Sequence, residues 1–192
     1  MGEPARKEAA YADLEAVPEH LVAEILGGEL VTHPRAAPRQ AVSAFALGGK
    51  LGPAFQFGDG GPGGWFFMPE QELHFGRDVV VPDLAAWRIE RLPDLPPTAW
   101  IETPPDWLCE VLSPSTEHPD RNLKSKIYAR VGIPRVWYLD PRTRTVEVFE
   151  LSERKWQLFG TFQHADKVAA PPVTELTFDL AVLWPYDKIS KT

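Results

Sequence analysis

The sequence predicts an α/β (α+β) fold, a mixed β-sheet flanked by a few helices with a β-hairpin near the N-terminus. Three observations carry that expectation. From about residue 65 onward the apolar residues fall in short, strand-length runs. Helical patterning is confined to a few stretches, and their order with the strands is that of a sheet with helices packed on it. Finally, 20 prolines in 192 residues is about twice average usage, which implies many short elements and argues against a helical bundle.

Taken in order, residues 4–15 have helix-forming composition, and Pro18 ends that stretch. The runs VAEIL (22–26) and ELVTH (29–33) are separated by Gly27-Gly28 and predict a tight hairpin. Residues 38–51 predict a helix with Pro38 near its start and Val42, Phe45, Ala46 and Gly49 on its apolar face. The patch GDGGPGGW (58–65) reads as a mobile loop. Strands are expected at GWFFMP, QELHFG, DVVVPDLAAWR and, after a proline-rich delay over 91–105, at DWLCEVL. SPSTEHPD (113–120) reads as a loop. A short helix follows, closed by Gly132 and Pro134. RVWYLD, TVEVFEL and KWQLFGTF continue the strands, and FDLAVLW is a final apolar stretch. No internal repeat or linker is visible, so 1–192 reads as a single domain.

A composition of 44% hydrophobic and 24% charged residues supports a packed core. No apolar run reaches the roughly 18 residues of a membrane span, and MGEPARKEAAYADLEAV lacks the apolar core of a secretory signal. Gly2 is followed by Arg6 where a myristoylation motif would want Ser or Thr, so no lipid anchor is expected. The lone Cys109 excludes an intramolecular disulfide and fits a cytoplasmic location, and it reads as an inert core thiol. The net charge of −7 argues against tight non-specific nucleic-acid binding but leaves room for a local groove. His20, His33, His74, His118 and His164 show no zinc-motif spacing.

Three residues invite chemistry. Glu110 lies inside the apolar run DWLCEVL, where a bare carboxylate costs several kcal/mol unless it is paired, hydrogen-bonded or metal-bound. A metal ligand at the sheet edge, a salt bridge to an arginine and an exposed strand end all satisfy that demand. Asp83 sits between VVV and LAAW, where a carboxylate would emerge from a sheet; it also reads as a turn aspartate. On the helix over about 120–131, Leu123, Ile127 and Val131 form an apolar stripe, and Asp120, Lys124 and Tyr128 form the row at its border. Lys124 could aim its ammonium inward, or pair with Asp120 on the surface. Lys126 points to solvent. Two carboxylates and a lysine suit metal-dependent phosphodiester cleavage. The acids hold a hard cation, and the lysine orients or helps deprotonate the attacking water.

The stretch PPDWLCEVLSPSTEHPDRNLKSKIYARVGIPRVWYLDP resembles the signature of the bacterial Uma-type restriction endonucleases, a branch of the PD-(D/E)XK nuclease superfamily. VVVPDLAAW matches the upstream Pro-Asp element and EILGGELV the N-terminal hairpin, so the resemblance spans roughly residues 11–185. It implies a restriction-endonuclease-like fold and a Mg²⁺- or Mn²⁺-dependent endonuclease acting on nucleic acid, DNA foremost. A homodimer is expected because homo-oligomers are mostly two-fold symmetric and double-strand cutting needs two sites, though no segment specifies an interface. On this resemblance Asp83 and Glu110 are the metal-binding acids, the Val111 carbonyl adds a ligand, and Glu29 is a further acid. The superfamily's usual lysine position is Leu112 here, and Lys124 matches the lysine moved onto the following helix. Gln40 stands where the family often has histidine. Ser113 and Ser115 match the family's serines and are expected to bond the loop backbone, and Tyr128 completes the helix motif. The rival expectation is a catalytically inactive, dimeric binding protein on the same fold.

Overall fold

A computed structural model describes residues 8–187. Residues 4–7 of the first expected helix, and Gly2 and Arg6, lie outside the described residues. Helix α1 covers Tyr11–Glu15 only. Residues 8–10 lie outside the helix, with Ala10 extended, and the Ala9 amide donates to the Gly28 carbonyl at 2.8 Å. The hairpin forms as expected, with β1 (Leu21–Leu26) paired antiparallel to β2 (Glu29–Pro34). Gly27 and Gly28 both take positive φ, which a two-residue turn matching the strand twist requires.

Helix α2 (Pro38–Phe55) is longer than expected and buries a different face. Ser43, Leu47 and Leu51, spaced i, i+4, i+8, point into the core, with Ala54 and Phe55 continuing the buried side. Val42 and Phe45, expected inside, are exposed, Phe45 by 82%. The glycine-rich segment after α2 folds back on it: Gly63 donates to the Ala54 carbonyl at 2.9 Å, and a Cβ at Gly61 would stand 2.5 Å from that of Ala54. Only glycine fits there.

The remaining strands are β3 (Trp65–Pro69), β4 (Glu72–Phe75), β5 (Asp78–Val80), β6 (Leu84–Arg88), β7 (Trp100–Ile101), β8 (Trp107–Val111), β9 (Arg135–Asp140), β10 (Thr145–Ser152), β11 (Lys155–Gln163), β12 (Lys167–Val168) and β13 (Phe178–Asp179). They build two main sheets rather than one. A five-stranded sheet runs β2-β1-β5-β4-β7, a six-stranded sheet runs β11-β10-β9-β8-β6-β3, and β12-β13 form a small pair. Both large sheets are mixed: β4–β7 and β8–β9 are parallel, and the other pairs antiparallel. The expected single strand DVVVPDLAAWR is therefore two, and the chain passes from one sheet to the other across Val81-Pro82-Asp83.

Strand alternation gives the six-stranded sheet two different faces. Leu84 and Ala86, Trp107, Cys109 and Val111, and Trp137 and Leu139 pack toward α2 and the C-terminal segment. Ala85 and Trp87, Leu108, and Val136 and Tyr138 pack on the other side, with Leu26, Leu73 and Val80 of the five-stranded sheet. Asp83 and Glu110 share the parity of this second face.

The parallel β8–β9 pair demands a crossover. It is a π-helical turn (Pro119–Lys124) running directly into α3 (Ser125–Val131), so the expected loop is helical from Glu117 on. Gly132, in the left-handed region at φ 80°, closes α3 as expected. Of the expected apolar stripe, Ile127 is buried and Val131 packs against the core, but Leu123 is exposed, and the neighbouring row Asp120, Lys124 and Tyr128 is buried as well. Asp120 and Lys124 of this row lie on the π-turn and Tyr128 on α3. FDLAVLW becomes the short β13 and a 3-10 turn over Leu180–Leu183.

The two faces of α2 make opposite demands on substitution. Leu47→Ala should lower the free energy of urea unfolding by about 2–5 kcal/mol, as for other fully buried leucines, whereas Phe45→Ser should change it by less than about 0.5 kcal/mol.

Candidate active site

Asp83 immediately precedes β6 and Glu110 lies near the end of β8, and Leu84 pairs with Cys109 in the register that joins the strands. The two acids thus leave neighbouring strands on one face. The Val111 amide donates to Asp83 Oδ2 at 2.7 Å, locking that geometry. Glu110 is 1% exposed, and its Oε1 receives the Tyr128 hydroxyl and the Lys124 ammonium, the latter at 2.9 Å. Lys124 is equally enclosed. Its Nζ lies 3.0 Å from Glu24 Oε1, 3.3 Å from Asp120 Oδ1 and 3.3 Å from the Val81 carbonyl, to which it donates. Glu24, from β1, also accepts the Val81 amide at 2.7 Å, and His33 of β2 stands 3.6 Å from its other oxygen.

A cleft of about 350 Å³ opens onto this cluster. Its lining includes Asp83, Glu110, Val111, Asp120 and Lys124 together with His33, Arg35 and Gln40. Gln40 Nε2 donates to the Val111 carbonyl at 3.0 Å, while its Oε1 accepts the Ala37 amide at 2.9 Å. The loop after β8 forms the rim. Ser113 Oγ lies 2.9 Å from Ser115 Oγ and 3.1 Å from Thr116 Oγ1, and it accepts the Thr116 amide at 3.2 Å, so these hydroxyls hold the loop to itself.

One ammonium among so many carboxylates sets the electrostatics. Burial pushes the Glu110 carboxyl well above its usual range, helped by Asp120, Asp83 and Glu24 and opposed by Lys124. Burial also raises Asp120. Asp83 is pushed up to about 6, chiefly by desolvation and against the Val111 hydrogen bond and the Lys124 charge. Glu24 moves down, because Lys124, His33 and the Val81 amide outweigh its burial. Desolvation opposes the Lys124 charge, but Glu110 and Glu24 more than offset it and hold the amine well above its ordinary range. In this setting the ammonium serves as a hydrogen-bond donor and a counter-charge to the surrounding carboxylates.

A model of the Uma2 family, described as putative restriction endonuclease, matches residues 9–183. The chain belongs to the Uma2 family. Among solved structures, a putative nuclease of the DUF820 group from Anabaena variabilis is similar at a TM-score of 0.69 over 91% of this chain and 96% of that one; at 19% identity this likeness shows a shared fold. A search of curated proteins found no match.

In this Uma2 chain Asp83, Glu110 and Lys124 meet at one cleft, with the Val111 carbonyl, Gln40, Ser113 and Ser115 around it and Tyr128 behind Glu110. Glu29 does not join them. It sits exposed beside the hairpin turn and lines a separate pocket with Glu8 and Asp13. The hairpin acid in the cluster is Glu24, which the sequence reading missed although VAEIL carries the signal that singled out Glu110, an acid inside an apolar run. Asp120 does pair with Lys124, but in the interior rather than on the surface. His33 and Arg35 were not singled out either. Cys109 is buried, as expected of a core thiol.

Among the described residues, no three His, Cys, Asp or Glu side chains gather closely enough to hold a metal ion by themselves. The donors at hand are Asp83, Glu110 and the Val111 carbonyl. The described hydrogen bonds and ion pairs fall on Oδ2 of Asp83 and Oε1 of Glu110, leaving the second oxygen of each for another ligand. Two carboxylates, a carbonyl and water are the donor set of a Mg²⁺-type ion, which binds few protein groups and completes its shell with water and substrate phosphate.

The raised Asp83 pKa has a measurable consequence. The folded state holds this proton more tightly than the unfolded one, so the associated stability is complete below about pH 4 and is lost as pH rises to about 6. In EDTA, Asp83→Asn should therefore unfold at higher urea than wild type at pH 7.5, by about 1–2 kcal/mol given partial screening by cleft water. At pH 4 the two should nearly coincide.

Proposed function

We propose that this protein is a metal-dependent nuclease of the PD-(D/E)XK type, hydrolysing phosphodiester bonds of nucleic acid, DNA foremost. One observation carries the reading: Asp83 and Glu110 emerge side by side on one sheet face beneath an open cleft, with Lys124 2.9 Å from Glu110. Family membership and the shared fold support it.

Asp83, Glu110 and the Val111 carbonyl would hold Mg²⁺ or Mn²⁺. Such an ion supplies Lewis-acid polarisation of the phosphate and a bound water of lowered pKa. The chain's own residues prepare the site. Tyr128 and Lys124 fix the Glu110 carboxylate from behind, the Val111 amide fixes Asp83, and Gln40 orients the Val111 carbonyl. Lys124 adds positive charge where negative charge grows as water adds to phosphorus and the leaving oxygen departs. Ser113 and Ser115 shape the rim. Cutting both strands of a duplex calls for two sites, so a symmetric homodimer is the assembly this function would use.

A second reading has its own observation. Lys124 is only 2% exposed and shared by three acids, and Arg35 is the sole exposed arginine or lysine among the described lining residues. An acidic cleft with its lysine committed to structure is what an inactive, partner-binding relative would retain.

Cleavage assays separate the two. Single- and double-stranded DNA and RNA should be cut in Mg²⁺ or Mn²⁺ and spared in EDTA, with Asp83→Asn and Glu110→Gln each slowing cutting at least about a hundredfold. Lys124→Ala is the poorer variant, since it strips three buried acids of their counter-charge at a cost of about 3–5 kcal/mol. Cutting that survives both acid substitutions, or none on any substrate with either metal, would overturn the proposal.

A further inference from the structure

Beside the cleft lies a second, apolar groove of about 340 Å³ between the exposed face of α2 and the β3–β6 edge. Its walls are Phe45, Phe57 and Phe67, and Gly48 and Gly52 of α2 form its floor. Ala36, Glu70 and Asp83 line both cavities, so the groove adjoins the cleft at Asp83, one of the proposed metal-binding acids. We infer that this groove seats an unpaired nucleobase beside the scissile phosphate, which makes single-stranded nucleic acid the preferred substrate. The inference rests on the nuclease reading above and narrows its substrate class.

Four features favour a base over other occupants. Phe45 and Phe57 stand 82% and 74% exposed at the groove, and no core packing accounts for them. Aromatic faces presented beside a phosphate site are how single strands are held, since every base has a π-face. Charge points the same way. A duplex is gripped chiefly through its phosphates by many lysines and arginines, yet the chain carries a net −7 and the cleft lining offers one exposed arginine. Stacking can supply what charge does not.

The floor is bare for no internal reason. A Cβ at Gly48 would meet Leu84 Cδ2 at 3.7 Å, one at Gly52 would meet Phe57 Cε2 at 3.9 Å, and one at Gly49 would meet nothing within 4 Å. Alanine would fit at each and would favour the helix. The glycines instead keep the groove deep enough for a flat ring against the helix. Finally, Gln56 accepts the Phe67 amide through Oε1 at 2.8 Å, which aligns its side chain at the groove and leaves Nε2 to donate to a base edge.

The test is fluorescence anisotropy in EDTA with a short fluorescein-labelled DNA oligonucleotide, single-stranded or annealed to its complement. Sedimentation velocity and metal-supported cleavage are measured on the same proteins. Wild type should bind the single strand about tenfold more tightly than the duplex, and Phe45→Ser and Phe57→Ser should each weaken single-strand binding about tenfold, the effect of losing one stacked base. Gly48→Ala should raise the melting temperature and yet weaken binding, a combination that a purely structural glycine would not give. Unchanged affinity in all three variants, equal affinity for both oligonucleotides, or no binding would overturn the inference. So would unchanged affinity with a shift from dimer to monomer in the phenylalanine variants, since a second copy would then fill the groove. Binding that depends on Phe45 and Phe57 without cleavage in any metal would remove the nuclease reading and leave the base site. Cleavage that requires Asp83 and Glu110 but ignores the phenylalanines would do the reverse.

Discussion

A single buried ammonium holds the described structure together at its most demanding point. Lys124 of the crossover helix meets Glu24 of the five-stranded sheet, Glu110 of the six-stranded sheet, Asp120 of its own turn and the Val81 carbonyl of the connector between the sheets. Four chain segments that are distant in sequence are fixed by one group. Burying these charges is expensive, and the arrangement survives only because each is paired at short range with additional hydrogen bonds. The pairing is incomplete in charge: Glu24, Glu110, Asp120 and nearby Asp83 bring up to four negative charges against Lys124 and the imidazole of His33, whose charge the Glu24 carboxylate favours. Raised carboxyl pKa values are one response to that imbalance, and a bound divalent cation is another.

The fold explains why the imbalance sits where a substrate can reach it. Two sheets meet along the connector Val81-Pro82-Asp83, and there the alternating faces of β6 and β8 bring two carboxylates out together. The π-turn and α3 bring the row Asp120, Lys124, Tyr128 to the same point. Local strand and helix geometry thus converts three sequence-distant segments into one cleft wall.

Much of this was legible in the sequence, and the failures have physical causes. An acid within an apolar run betrays a buried carboxylate because solvation forbids it otherwise; the rule found Glu110, and applied to VAEIL it would have found Glu24 in place of Glu29. The buried face of α2 and, in part, that of the crossover helix were misjudged because apolar residues were assumed to face inward. Phe45, Val42 and Leu123 do not, and Lys124 and Asp120 are drawn inside by each other. The division into two sheets depends on pairings such as β4 with β7 and β1 with β5, which no local pattern encodes.

The charge argument is tested most directly by Mn²⁺ binding to the full chain near neutral pH, followed by electron paramagnetic resonance of the free ion. About one Mn²⁺ per chain should bind at micromolar to millimolar concentration, compete with Mg²⁺, and be lost in both Asp83→Asn and Glu110→Gln. No bound Mn²⁺ in wild type, or undiminished binding in both variants, would contradict the account of this cluster as a cation site.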